Sequence, residues 1–273
     1  MIASLLLLAT LTTAPAVADP PCLDADRMAF VPAGRFWMGS DRTERTLAAG
    51  LAARADWLRA ERPRQRVSLP AYCIDRFLVT HAEYAAFVTA TRHPRPAAGP
   101  GPSLRPDRRP EESDQQVARY LWHRGEPPDS RSQHPVVLVR AADAEAYCRW
   151  RHFSFRLPTE AQWERAARGD GGWVFPWGNR WSAHRLNSAG SGHRGTTAID
   201  RYPAGASSHG MFDAVGNVYQ WTATALDANR RVVKGCAWDD PPGACRPARR
   251  LARDADSPDI LLGFRCAAPP ADP

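Results

Sequence analysis

Lysine is nearly absent from these 273 residues: Lys234 is the single lysine among 36 Lys and Arg side chains. The formal net charge of +7 is therefore arginine charge. No arginine block is interleaved with aromatic residues and no nucleic-acid motif occurs, so the charge does not read as a nucleic-acid footprint. Beyond the first 18 residues no run approaches the roughly 20 apolar residues that a membrane-spanning helix needs. No two of the eight histidines stand four positions apart, which removes the helical His-pair signature of a zinc site. A Gly-x-Ser-x-Gly elbow, a P-loop and a dinucleotide-binding glycine fingerprint are missing as well. No repeat period or extended low-complexity tract is found. Disorder is excluded from the other side, because 44% of the residues are hydrophobic. Six cysteines are too few for a miniprotein held by disulfides alone, yet their even number allows three bridges.

The first 18 residues read as a secretory signal. An apolar run over residues 5–8 continues through Ala9 and Leu11, and Ala16-Val17-Ala18 puts small residues before a cleavage point. The mature chain, residues 19–273, is then expected in a secreted or periplasmic compartment where cysteines are oxidised. Its length suits a single large domain. Residues 41–64 carry Leu47, Leu51, Ala55 and Leu58 at helical spacing, a helical insertion on the surface. Residues 93–133 are rich in Pro, Arg, Asp and Ser and read as a long loop whose arginines are solvated.

Three helices are marked by their starts. Thr80 with Glu83 and Thr159 with Gln162 form capping boxes, and Gly169 stops the second of these helices. Asp143 opens a third, with Ala144, Tyr147, Cys148 and Trp150 as its buried stripe. Strands are expected over residues 29–36, 66–69, 135–139 and 231–234. Trp163, Trp177 and Trp221 read as core wedges. Cys22 and Cys73 flank the N-terminal strand region and are expected to pair.

Several motifs follow one another in order. They include Phe30-Val31-Pro32-Ala33-Gly34, Tyr72-Cys73-Ile74-Asp75, Arg156-Leu157-Pro158-Thr159-Glu160, Phe175-Pro176-Trp177-Gly178-Asn179, Gly216-Asn217-Val218-Tyr219-Gln220-Trp221 and Gly263-Phe264-Arg265-Cys266. The ordered set resembles the sulfatase-modifying-factor, or formylglycine-generating-enzyme, family and spans nearly the whole mature chain. The resemblance implies an irregular α+β fold of the C-type-lectin-like kind, low in regular secondary structure and stapled by disulfides. It also implies a bridge between Cys148 and Cys266, which would close a loop of more than a hundred residues.

In the oxidases of this family, two cysteines five positions apart bind copper(I) and use O₂ to oxidise a substrate cysteine. Here the second position is Cys245 and the first is Asp240, a poor ligand for a soft ion. The neighbouring family positions are also changed, to Cys236 and Ala237. Cys236 and Cys245 are the candidate site residues. Three readings are open: a structural disulfide over a short Pro/Gly-rich loop, a relocated thiol pair that binds metal or cycles redox state, or free thiols and other pairings. The resemblance further implies calcium at Asp213, Gly216, Val218 and Gln220, where Gln replaces an acidic ligand. A second calcium position falls at Asn187 and Ser188. The expected function is a binding or scaffold module for an extracytoplasmic protein or peptide. The alternative is a copper-dependent oxidase that converts a sulfatase cysteine to formylglycine.

Overall fold

The computed structural model describes residues 22–99 and 110–271; the apolar segment 1–18 lies outside them. Strand β1 (Met28–Val31) pairs antiparallel with β4 (Tyr72–Asp75), and β4 pairs with the short β9 (Ala267–Ala268). The predicted strand over residues 29–36 is in fact two strands. Pro32, which has no N–H to donate, stands in the gap between β1 and β2 (Gly34–Met38). Strand β2 forms a hairpin with β3 (Gln65–Leu69) in the register Met38 opposite Gln65. Its connection carries two short helices where one was expected, α1 (Arg42–Gly50) and α2 (Ala55–Ala60).

Three longer helices follow the sequence signals closely. Helix α3 (His81–Thr91) and helix α6 (Glu160–Arg168) begin with the expected capping boxes, and Gly169 ends α6 at φ +69°. Helix α5 (Ala141–Arg151) starts two residues before Asp143. Arg140 is its N-cap, and the Asp143 carboxylate accepts from the Arg140 N–H at 3.0 Å. Ala144, Tyr147 and Cys148 are buried on α5, whereas Trp150 is 41% exposed, so the stripe is narrower than expected.

Residues 93–133 are not an uninterrupted loop. Helix α4 (Pro110–Ala118) lies within them, followed by the buried Tyr120 and the partly buried Leu121 and Trp122. These few anchors suffice because Tyr120 takes the Thr196 N–H and Trp122 Nε1 donates to His81 Nδ1 at 3.1 Å. Residues 135–139 are buried but form no strand. Pro135 makes a lone bridge to Thr80, and Leu138 at φ +61° breaks the extended run.

A third sheet runs β7 (Arg250–Asp254), β6 (Arg230–Lys234), β5 (Tyr219–Ala225) and β8 (Leu262–Gly263), with β5 and β8 parallel. Trp221 and Trp163 are fully buried, in separate apolar clusters, while Trp177 is only partly covered and stacks on Phe175. The larger apolar cluster joins Tyr84, Tyr147 and Phe264, whose rings meet at 5.4–6.3 Å. All six cysteines are bridged, as Cys22–Cys73, Cys148–Cys266 and Cys236–Cys245.

Burial holds His81 down at about 3, with His134 and Arg131 adding to it, and holds His134 down at about 4, where Arg131 adds to it. Both rings are neutral in the fold and titrate near 6.5 once unfolded. Below pH 6.5 the unfolded chain therefore binds more protons at these two sites, and their share of the stability falls as the pH drops toward 4. Together they outweigh Asp213, which burial raises to about 7 and which acts in the opposite sense. Urea midpoints between pH 7 and 4.5 are expected to decline, and His134→Gln is expected to flatten the decline. An unchanged slope in that variant would assign the acid sensitivity to other groups.

Candidate active-site loop

Cys236, Asp240 and Cys245, the positions singled out by the resemblance, fall in the loop between β6 and β7. Gly235 leaves β6 at φ +88° and turns the chain inward, so Cys236 and Cys245 face each other with their Cα atoms 5.0 Å apart. Both are fully buried, and Cys236 Sγ accepts the Gly216 N–H at 3.0 Å. Asp240 is buried as well. One carboxylate oxygen takes the Ala237 N–H at 2.9 Å, and its carbonyl takes the Ala189 N–H at 3.0 Å. Asp240 thus serves to fold the loop back on itself. A copper(I) ion needs soft ligands, and this pair offers a bonded sulfur and a carboxylate already engaged by backbone. The residues do not fit that ion.

Helices α1 and α2 form a strap across the same loop. Gly243 donates its N–H to Leu51 O at 2.7 Å, and a Cβ on Gly243 would fall 2.3 Å from Ala48 O, so glycine alone fits there. Beneath the strap lies a buried ion network. Arg246 reaches Glu44 at 3.0 Å and also pairs with Glu61; Arg168 joins Glu44 at 2.8 Å and Glu164 at 3.1 Å. Lys234 extends it, with Nζ 2.8 Å from Glu164 and 5.7 Å from the Trp163 ring centroid. Burial pushes Glu44 up despite Arg168 and Arg246. Burial acts on Glu160 in the same sense, but Lys234, Arg250 and Arg62 outweigh it and hold that carboxyl low. Sequence reasoning missed these residues. The one available signal was Lys234 itself, the only lysine in an arginine-dominated chain, fully buried here.

The two expected calcium positions lie side by side. Gly216 packs on Asn187 at φ +86°, where a Cβ would sit 2.7 Å from Asn187 O, and Asn217 donates its N–H to that same carbonyl. Gln220 is fully engaged: Oε1 takes Trp163 Nε1 at 2.6 Å and Arg265 Nε at 2.7 Å, while Nε2 donates to Asp213 O at 2.8 Å. The Arg265 guanidinium fills the remaining space, donating to the carbonyls of Asp75, Arg76, Phe212 and Asp213. Burial pushes Asp213 up to about 7, and its carboxylate accepts from Asn217 Nδ2 at 2.9 Å. Asn187 Oδ1 accepts from Ser191, and Ser188 O takes the Ser191 N–H. Calcium asks for six to eight oxygens. Here the Gln220 and Asn187 side-chain oxygens already have partners and a guanidinium supplies positive charge, so the residues do not fit that ion. Among the described residues, no group of three or more His, Cys, Asp or Glu is placed to hold a metal.

An irregular α+β core, stapled by three disulfides, with a buried loop between two antiparallel strands, is the formylglycine-generating type of fold. The sequence matches the family described as "Sulfatase-modifying factor enzyme 1-like domain" over residues 14–269, and the chain belongs to that family. It is 32% identical to "Inactive C-alpha-formylglycine-generating enzyme 2" of Mus musculus, covering 88% of this chain and 85% of the relative. It is 31% identical to "Formylglycine-generating enzyme" of the same organism, covering 91% of this chain and 77% of the relative. The solved structure of PvdO from Pseudomonas aeruginosa superposes with a TM-score of 0.70 at 24% identity, over 94% of this chain and all of that one, which bears on the fold alone. Near-equal identity to an inactive and an active relative means that the site residues must decide between the two.

Proposed function

We propose that this protein is a binding or scaffold module of the formylglycine-generating-enzyme family that does not carry out the copper-dependent oxidation. Asp240 at the first copper position, with Cys245 closed onto Cys236 in a buried bridge, is the observation that carries this reading. Its compartment is secreted or periplasmic, which the N-terminal apolar segment and three disulfides support. No helix among the described residues is long and apolar enough to cross a membrane. The partner on this reading is an extracytoplasmic protein or peptide.

The test is to incubate the protein with copper(I), O₂, a reductant and a peptide containing Cys-x-Pro-x-Arg, and to look for aldehyde by mass spectrometry. No aldehyde is expected. Aldehyde that disappears in Cys245→Ser would establish the oxidase instead. Alkylation without reductant is expected to label neither Cys236 nor Cys245.

The loops at Asp213 and Asn187 are proposed to be held by Arg265 and by their own hydrogen bonds rather than by calcium. Thermal midpoints in excess calcium and in chelator are therefore expected to coincide. An ion that binds only the folded state would raise the midpoint, and a rise of several degrees would restore calcium to one of these loops.

A further inference from the structure

Among the described residues, four buried arginines have a carboxylate partner. Arg165 has Asp170, Arg168 has Glu44 and Glu164, Arg246 has Glu44 and Glu61, and Arg253 has Asp259. Arg265 spends its donors on four carbonyls and Gln220. Arg249 is 2% exposed, yet its Nε and Nη1 have no partner, and Nη2 reaches only Tyr219 Oη at 3.4 Å. Leaving a charge buried and unpaired is costly, so a guanidinium in this state is poised for something it does not hold here.

Its surroundings say what would fit. The Trp57 ring centroid lies 4.0 Å from Arg249 Cζ and that of Tyr219 lies 6.0 Å away, so aromatic rings are its closest cover. The donors left over are the in-plane N–H groups, the geometry with which arginine recognises a carboxylate. The unbalanced charge is a single positive one, which matches a monoanion better than a doubly charged phosphate or sulfate. The cover over this group is also lightly held. Trp57 belongs to α2, a six-residue helix with no fully buried residue and no side-chain cap at its start.

We propose that Arg249 anchors a carboxylate-binding site, with α2 and Trp57 as the cover that the ligand displaces. The carboxylate is that of an acidic side chain or a chain end in a peptide partner. The site lies four residues beyond Cys245 and rests on the binding-module reading. Aldehyde formation would overturn that reading, whereas the measurements below address Arg249 by itself.

The probes are an acetylated, amidated Gly-Glu-Gly peptide, acetylated Gly-Gly-Gly with a free carboxylate, and inorganic phosphate, all at matched ionic strength. A saturable rise in melting midpoint is expected with one or both peptides and not with phosphate; the responding peptide identifies the carboxylate's source. Arg249→Met is expected to abolish the rise while melting no lower than the natural chain, since it removes no ion pair. Trp57→Ala is expected to bind the responding peptide roughly tenfold more tightly, because the ring no longer competes for the guanidinium. The proposal is overturned if neither peptide acts, if phosphate acts equally well, or if Arg249→Met responds like the natural chain. A midpoint several degrees lower in Arg249→Met would likewise overturn it, by making the residue a structural one.

Discussion

Replacing Arg246 with alanine is expected to cost about 3–5 kcal/mol of folding stability, the range for stripping one partner from a buried ion pair. The guanidinium is 1% exposed and serves two carboxylates, Glu44 and Glu61, which are themselves 2% and 0% exposed. Removing it leaves Glu61 with the Ser40 hydroxyl as its remaining hydrogen-bond donor, while Glu44 retains Arg168. The penalty is therefore mostly the buried charge of Glu61, and it should shrink when that charge is removed too. A double variant, Arg246→Met with Glu61→Gln, is expected to recover a large part of the loss. Arg230→Ala provides the contrast. Its pair with Asp227 is about half exposed on both sides, and such pairs are worth about 0–1 kcal/mol. Urea unfolding of the three variants reads the differences directly. A loss below about 1 kcal/mol for Arg246→Ala would mean that the network does not hold the strap to the loop.

That network also shows where sequence reading stops. Local chemistry was legible: Thr80 with Glu83, Thr159 with Gln162 and Gly169 each act within one turn of helix, and the structure has all three where the sequence puts them. The family motifs carried the bridge of Cys148 to Cys266, because both cysteines sit in recognisable segments. What stayed hidden depends on distant partners. Glu44 and Arg246 are 202 positions apart, and no spacing rule connects them. Strand β7, Arg250-Leu251-Ala252-Arg253-Asp254, looks like a charged loop until Glu160 and Asp259 take two of its arginines. Residues 135–139 failed in the opposite direction. Pro135-Val136-Val137-Leu138-Val139 has strand composition, but a short apolar run is buried equally well without a ladder. At the candidate site, the sequence puts Asp240 where the resemblance expects a copper-binding cysteine. The positive role of Asp240, capping the Ala237 N–H so that the cystine loop closes, needed the coordinates.

Removal of the Cys148–Cys266 bridge by a double alanine substitution is expected to lower stability by about 5 kcal/mol, against about 3 kcal/mol for the Cys236–Cys245 pair. The difference comes from the unfolded chain. The first bridge ties residues 118 positions apart and the second only 9, so the first removes more freedom from the denatured ensemble. The native sides are closely matched, because all four sulfurs are buried in packed surroundings. The longer bridge also fixes a junction. Cys266 donates its N–H to Asp75 at 2.9 Å, and Asp75 takes Arg151 of α5 at 2.8 Å, so α5 and the end of β4 meet at this cystine. Denaturation of the two double variants, each with its remaining bridges verified by mass, tests the ranking. Equal losses would place the stabilisation in native packing rather than in loop closure. A larger loss for the short Cys236–Cys245 loop would give that cystine the greater structural part.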